Sequence, residues 1–168
     1  MIVRYSQVIH SPIVEIKTQN LLGKVLDIVL QKSDFSVKAV LVKPSILSFE
    51  KLVVSDADIL EIVNNAVLVN DENSISPLKD SPRIVQSIDA KAFGINQKVI
   101  TKSGKTVGRI SDYTFDSQLL KVMNLYVKSL VSDRIISATS IQKFEKGTIT
   151  IDDDYEVAKT AEPMAKTA

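Results

Sequence analysis

Hydrophobic positions along the chain fall into short runs separated by polar turns, and the same order of runs occurs twice. In the first half, the runs lie at residues 13–17, 23–30, 37–42, 52–54 and 66–69. In the second half, they lie at residues 98–102, 108–115, 122–127, 134–136 and 148–151. Runs of this length that are rich in Val and Ile predict β-strands. Many short strands separated by turns predict a mainly β fold, either a sandwich or a small barrel.

The two sets of runs match at a nearly constant shift, which indicates an internal repeat. Residues 23–27 (Gly-Lys-Val-Leu-Asp) align with residues 108–112 (Gly-Arg-Ile-Ser-Asp) at a shift of 85. After a three-residue gap the shift becomes 82, and residues 53–55 align with residues 135–137. A period above 80 is longer than the ~20–50 residues of solenoid repeats. The spacing therefore predicts a duplicated small domain.

This repeat predicts the domain organisation. The segments are a first domain (residues 1–75), a linker (residues 76–93), a second domain (residues 94–152) and a mobile C-terminal tail (residues 153–168). The linker has the pattern of a helix, because Ser81 suits the N-cap, Pro82 the first helical position and Gly94 the exit. We therefore predict a short helix over residues 82–93.

The long strand of the first half does not alternate cleanly between polar and apolar residues. Leu26, Ile28 and Leu30 define one face, but Val25 and Val29 are apolar as well. A bulged strand that is buried on both sides accounts for this pattern, and closure of a barrel often needs such a bulge.

Asp27 and Asp112 occupy the same position of the repeat, within predicted strands where Asp is disfavoured. Each could be a ligand or metal carboxylate, or each could accept backbone N–H bonds at a bulge or turn. A single carboxylate without nearby His or acidic partners makes a poor metal site. We therefore expect the structural role at both positions.

Composition excludes several kinds of site. The 168 residues include no Cys and one His, so a disulfide, a cysteine nucleophile and a His-rich zinc site are impossible. We expect no metal and no cofactor. The net charge of +1 argues against a protein whose main task is to hold nucleic-acid phosphates.

No apolar run approaches the ~18 residues of a membrane-spanning helix, and the N-terminus lacks the uninterrupted apolar stretch of a secretory signal. We therefore expect a cytoplasmic protein without a transmembrane segment.

Two motifs suggest catalysis but lack the context that it needs. Residues 103–106 (Ser-Gly-Lys-Thr) resemble the end of a phosphate-binding loop, but its first Gly would fall at Val99 and a strand follows instead of a helix. This segment predicts a hairpin turn. His10 and Ser11 are adjacent, so in an extended chain their side chains point to opposite faces. Because no acid, base and nucleophile set can be assembled, we expect that the protein is not an enzyme.

An ordered set of segments resembles the PRC-barrel domain family, and it occurs in two tandem copies. The segments of the first copy are residues 10–14 (His-Ser-Pro-Ile-Val), 23–27, 37–42 and 55–59. Residues 103–112 (Ser-Gly-Lys-Thr-Val-Gly-Arg-Ile-Ser-Asp) resemble the same family a second time. The resemblance extends over about residues 6–70 and 94–151.

The resemblance implies two small PRC-type β-barrels that serve as a binding and assembly module. Relatives in this family include the cytoplasmic part of the photosynthetic reaction-centre H subunit and the C-terminal part of a ribosome maturation factor. This chain lacks the membrane helix of the former and the distinct N-terminal barrel of the latter. Similarity of fold is an association and does not transfer a specific role.

The loop after Pro44 is the candidate partner surface, because Ile46, Leu47 and Phe49 place three large apolar groups between two strands. These side chains either fold over the mouth of the barrel or form an exposed apolar patch that marks a partner site. The corresponding loop of the second copy is shorter but contains Leu130 and Val131.

The sequence thus favours a non-enzymatic adaptor that binds an unidentified protein partner and nucleic acid only indirectly or weakly, and it leaves a homo-oligomer open. The alternative is a ribosome-assembly or RNA-associated factor. That alternative requires basic side chains collected on one surface, and the densest local set is Lys98, Lys102, Lys105 and Arg109.

Overall fold

The computed structural model describes residues 1–44, 47, 49–155 and 157. Its strands are β1 (Ile2–Arg4), β2 (Pro12–Glu15), β3 (Leu21–Leu30), β4 (Val37–Pro44), β5 (Leu52–Ser55), β6 (Ile59–Val63), β7 (Ala66–Val69), β8 (Ser76–Pro77), β9 (Lys98–Thr101), β10 (Thr106–Asp116), β11 (Lys121–Lys128), β12 (Asp133–Ser137), β13 (Ile141–Glu145) and β14 (Thr148–Ile151). Its α-helices are α1 (Tyr5–Val8) and α2 (Pro82–Ala90). Single 3-10 turns lie at Asp56–Asp58, Glu72–Ser74, Leu78–Asp80 and Ala138–Ser140.

The strands form two sheets whose orders correspond. The first sheet has the order β6-β7-β2-β3-β4-β5-β8, and the second has the order β13-β14-β9-β10-β11-β12 with β1 added beside β10. In each sheet one neighbouring pair is parallel, β2 with β7 and β9 with β14, and the other pairs are antiparallel. The prediction of a mainly β fold is therefore confirmed, with a curled half-barrel sheet.

In the part of the chain that the structure describes, the two sheets meet at an antiparallel β-bridge between Ser36 and Lys121, just before β4 and at the start of β11. These two residues are 85 positions apart, which is the shift of the sequence repeat. Because the bridge is antiparallel, β4 and β11 lead away from it in opposite directions. The hairpins β4–β5 and β11–β12 therefore point to opposite ends of the molecule.

Two backbone hydrogen bonds flank this bridge; their two donors are again 85 positions apart, and so are their two acceptors. The Val37 N–H donates to the Leu120 carbonyl at 2.6 Å, and the Val122 N–H donates to the Phe35 carbonyl at 3.1 Å. Phe35 and Leu120 both have a positive φ, 57° and 50°. The two turns that approach the bridge thus share one backbone conformation.

One hydrophobic core runs through both sheets, because the largest cluster of buried side chains includes residues of each. At its centre Phe93 contacts Phe35 of the first half and Tyr113 of the second, with ring centroids 5.1 and 5.5 Å apart. Val3 and Val8, near the N-terminus, are fully buried in the same cluster. Because the two halves share this core, we expect them to unfold together.

The β3 strand is bulged and buried on both sides, as its sequence predicts. Register shifts fall between Val25 and Asp27 and between Val29 and Leu30. They interrupt the alternation, so Leu26 is exposed although its pattern groups it with Ile28. The second face is buried by helix α2. The residues of this smaller cluster are Val29, Ala39, Val53 and Ile84.

Helix α2 begins at Pro82 as predicted, but it ends at Ala90 and not near residue 93. Lys91 has φ 41°, which stops the helix and turns the chain so that Phe93 enters the core. Ser81 stands at the N-cap without a capping hydrogen bond from its side chain. Its carbonyl instead accepts from the N–H groups of Ile84 and Val85.

Several elements have no clear signal in the sequence. Helix α1 and strand β1 precede the first predicted strand, and β1 pairs with β10 of the second sheet. Strands β6 and β13 follow 3-10 turns, and a register shift in each breaks the alternation that would mark a strand. Of the predicted mobile tail, residues 156 and 158–168 lie outside the described residues, and Val157 bridges to Ile136.

Two glycines lie where the backbones of neighbouring strands approach closely. A Cβ on Gly108 would lie 2.3 Å from the Lys128 carbonyl oxygen, and a Cβ on Gly23 would lie 2.7 Å from the Lys43 carbonyl oxygen. Gly108 also has φ +154°, a conformation that side chains disfavour. The chain needs glycine at both corresponding positions.

We predict that Gly108→Ala lowers the free energy of unfolding by about 2–4 kcal/mol, because the backbone of β10 or β11 must shift to relieve the overlap. Gly94→Ala is the matched control, since nothing lies within 4 Å of its added Cβ. Urea unfolding measures both. Equal stability of the two variants would contradict the close approach.

Asp116 closes the β10–β11 turn. Its Oδ1 accepts the N–H groups of Gln118 and Leu119 at 2.8 and 2.9 Å, and the amino terminus of Met1 lies 3.7 Å from Oδ2. The N–H groups of Leu119 and Gln118, aided by the positive amino terminus, lower the pKa of Asp116 below its usual 3.8. The ionised carboxylate thus contributes stability that is lost as the pH falls through the lowered pKa.

We predict that the Asp116→Asn variant is less stable than the wild type at neutral pH. Below about pH 4 it should lose less stability than the wild type does, because the amide keeps an acceptor oxygen but does not titrate. Urea unfolding of both proteins between neutral and acidic pH tests this. Parallel pH profiles would show that the carboxylate contributes nothing in this range.

Candidate functional site

Asp27 and Asp112 accept backbone N–H groups at bulges, as predicted. The register of each sheet shifts at the aspartate, between Val25 and Asp27 and between Ile110 and Asp112. Asp27 Oδ1 accepts the N–H of Ile28 at 2.7 Å, and Asp112 Oδ1 accepts the N–H of the following Tyr113 at 2.9 Å. The structural role proposed for both carboxylates is confirmed.

The N-terminal segment bonds to both bulge aspartates, which the sequence did not indicate. The Tyr5 hydroxyl donates to Asp27 Oδ1 at 3.0 Å. The next residue, Ser6, donates to Asp112 through its N–H at 3.2 Å and its hydroxyl at 2.5 Å. Arg4 adds an ion pair, with its Nε 3.8 Å from Asp112 Oδ2. Helix α1 therefore fastens the first sheet to the second.

The rings of Tyr5 and Tyr113 stack beside the two aspartates, with centroids 4.7 Å apart. Burial raises the pKa of Tyr5, and the charge and hydrogen bond of Asp27 raise it further. Burial also raises the pKa of Tyr113, with smaller effects of Tyr5, Asp27 and Asp112. Both hydroxyls stay protonated at neutral pH, so Tyr5 can donate its hydrogen bond to Asp27.

We predict that Asp112→Ala lowers the free energy of unfolding by about 2–3 kcal/mol and Asp27→Ala by about 1 kcal/mol. Asp112 is buried and accepts three hydrogen bonds, whereas the bond between Asp27 and Tyr5 is exposed. Chemical denaturation gives the two values. A larger loss for Asp27→Ala would mean that Ser6 does not fasten the segment.

The predicted partner surface lies at the end of the β4–β5 hairpin. Leu47 is 88% exposed and Phe49 is 99% exposed. Ile46, the third predicted residue, lies outside the described residues. The two described side chains do not fold over the sheet and match the exposed alternative. Their role in binding stays a prediction. We call Leu47 and Phe49 the first tip.

The corresponding hairpin, β11–β12, exposes a second apolar pair. Leu130 is fully exposed and Val131 is 90% exposed. Its turn is closed by the Ser129 N–H, which donates to the Ser132 carbonyl at 2.9 Å. We call Leu130 and Val131 the second tip. Since β4 and β11 lead in opposite directions, the two tips lie at opposite ends of the molecule.

An apolar crevice lies beside the first tip. It has a volume of about 260 Å³ and is lined by Glu50, Lys51, Pro77, Leu78, Lys79 and Val85. The Leu78 N–H donates to the Lys51 carbonyl at 2.8 Å, which holds the linker against the hairpin. The linker supplies Pro77, Leu78 and Val85, and the second hairpin has no corresponding segment among the described residues.

A larger groove lies between helix α2 and the turn before β4, with a volume of about 1010 Å³. Its charged side chains are of both signs and are Lys32, Asp34, Lys38, Asp56, Asp80 and Arg83. Lys38 and Asp56 form an ion pair at 3.2 Å. Burial acts to raise the pKa of Asp34, but hydrogen bonds from Ser36 lower it on balance. The groove is polar without a dominant charge.

Of the four basic residues that would support a nucleic-acid role, Lys102 and Arg109 have partners within the chain. Lys102 lies 3.8 Å from Asp152, and the Arg109 guanidinium donates to the Asn96 carbonyl at 2.8 Å. Lys98 and Lys105 are exposed. Residues 103–106 form the predicted turn, in which the Thr101 N–H donates to the Lys105 carbonyl at 2.9 Å.

Across residues 1–44, 47, 49–155 and 157, no three His, Cys, Asp or Glu side chains are grouped so that they could hold a metal ion. None of the helices in the same residues is long and apolar enough to cross a membrane. No protein-family model matches the chain, and no curated protein matches it at a significant level.

Proposed function

We propose that this chain is a non-enzymatic assembly module that binds a partner protein at the first tip. The observation that supports the proposal is the exposure of Leu47 and Phe49, which are 88% and 99% accessible at the end of a hairpin. An apolar centre with a polar rim is the usual composition of a protein interface. Lys43, Glu50 and Lys51 lie around this tip and provide such a rim.

In this proposal each half of the chain is a PRC-type barrel, and the two halves are copies of one domain. The corresponding strand orders support it, and so does the bridge between residues 85 positions apart. The two bulge aspartates, Asp27 and Asp112, support it further, because each bonds the N–H of the next residue. A duplicated barrel presents two corresponding hairpins, and binding modules commonly use loops on a rigid scaffold.

The ribosome-assembly or RNA-associated alternative has less support. Binding to phosphates needs several Lys and Arg side chains free to contact the backbone. Two members of the basic set, Lys102 and Arg109, already have partners within the chain. The first tip is the better candidate for a binding surface, because its side chains contact little of the protein.

We predict that Leu47→Ser with Phe49→Ser abolishes capture of the partner from a lysate of the native cell. Because both side chains are exposed, the free energy of unfolding should change by no more than about 0.5 kcal/mol. Quantitative mass spectrometry of proteins retained by the immobilised chain measures the first effect, and thermal unfolding the second.

Leu119→Ser is the matched control, since Leu119 is also exposed but lies in the β10–β11 turn. It should retain the partner. If the double variant keeps every protein that the wild type captures, the first tip is not the binding site. Nanomolar affinity of the wild type for a defined RNA at physiological salt would favour the RNA-associated alternative instead.

A further inference from the structure

The two ends of the molecule differ in shape although both bear an apolar tip. One end has the crevice of about 260 Å³ beside the first tip, and the other end has the projecting second tip. At about 3.3 Å per residue, the eight residues of β4 and of β11 each span ~26 Å from the bridge that joins the sheets. The second tip therefore cannot reach the crevice of its own chain.

We infer that the crevice receives the second tip of another copy, so that the protein self-associates head to tail. This inference deepens the proposed function, on which it rests, because it names a second copy of the chain as a protein partner. A projecting apolar group that fits a pocket elsewhere on the same surface makes a heterologous contact. Such a contact builds an open chain unless the rotation between successive copies closes it into a ring.

The volume of the second tip is compatible with the volume of the crevice. The side chains of Leu130 and Val131 contain four and three carbon atoms. At roughly the ~30 Å³ that a water molecule occupies, these atoms fill about 200 Å³. The crevice offers about 260 Å³. Pro77, Leu78 and Val85 supply apolar lining, so the exposed tip would leave water on seating.

The charges beside the two parts are also complementary. Lys128 and Asp133 are register partners on either side of the second tip, and both are exposed. Lys51 lines the crevice together with the ion pair between Lys79 and Glu50. A seated tip can place Asp133 against Lys51. Neither Asp133 nor Lys51 has an ion-pair partner among the described residues of its own chain.

Sedimentation velocity of the purified chain from micromolar concentration to about 1 mM tests the inference, since it detects association with a dissociation constant in this range. We expect the weight-average sedimentation coefficient to keep rising with concentration, as in an open chain. A monomer throughout would overturn the inference, whereas a closed ring would keep the contact and overturn only the open chain.

Two variants separate the parts of the contact. Leu130→Ser with Val131→Ser removes the inserted group, and Val85→Lys puts a charge into the crevice. Each should weaken association by at least about a hundredfold, because two apolar side chains lose their burial or an ammonium group is desolvated. An equimolar mixture should form dimers that do not extend, because each variant keeps one intact part. Failure of the mixture to dimerise would contradict the head-to-tail contact.

Charge reversal tests the orientation. Asp133→Lys alone should weaken association, and Lys51→Asp in the same chain should restore it in part. Leu119→Ser should leave association unchanged, and thermal unfolding confirms that each variant folds. If the protein stays monomeric while the first tip still captures a different protein, this inference fails and the proposed function stands. If neither association occurs, both fail.

Discussion

The antiparallel junction at Ser36 and Lys121 is the constraint on which the rest of the structure depends. It joins two sheets through a bridge and two flanking backbone hydrogen bonds, and it fixes the directions of β4 and β11. From that geometry follow the opposite positions of the two hairpins and the single core beneath them. The junction alone has few bonds, so the aromatic contacts of Phe93 and the bonds of helix α1 must support it.

The outer faces of the two sheets show how one backbone arrangement is adapted to different neighbours. In the first sheet Val29 and Ala39 are apolar, because helix α2 covers them. The residues 85 positions later are Thr114 and Asn124, and they hydrogen-bond to each other at 3.4 Å. The Arg4 guanidinium lies over the nearby Tyr126 ring at 4.3 Å. These positions are thus polar where no described helix covers them, and the buried Thr114 hydroxyl has Asn124 as its hydrogen-bond partner.

This difference also explains why the ends of the molecule are unlike. The linker that forms α2 passes along the first hairpin and supplies most of the apolar lining of the crevice. No described segment takes that course beside the second hairpin. The exposed tips themselves add little to stability, since their side chains contact water.

The sequence by itself determined the main strands, the start of α2, the turn at residues 103–106 and the role of the bulge aspartates. Each of these follows from side chains close together in the chain, such as the alternation around Val37 or the Asp that bonds the next N–H. Strand β1, helix α1 and the exposure of the first tip were decided by tertiary structure. Strand β1 exists because it pairs with β10, more than 100 residues away, and no local pattern records such a partner. Similarly, whether Leu47 and Phe49 meet water depends on which distant segments reach them, and burial is a property of the assembled fold.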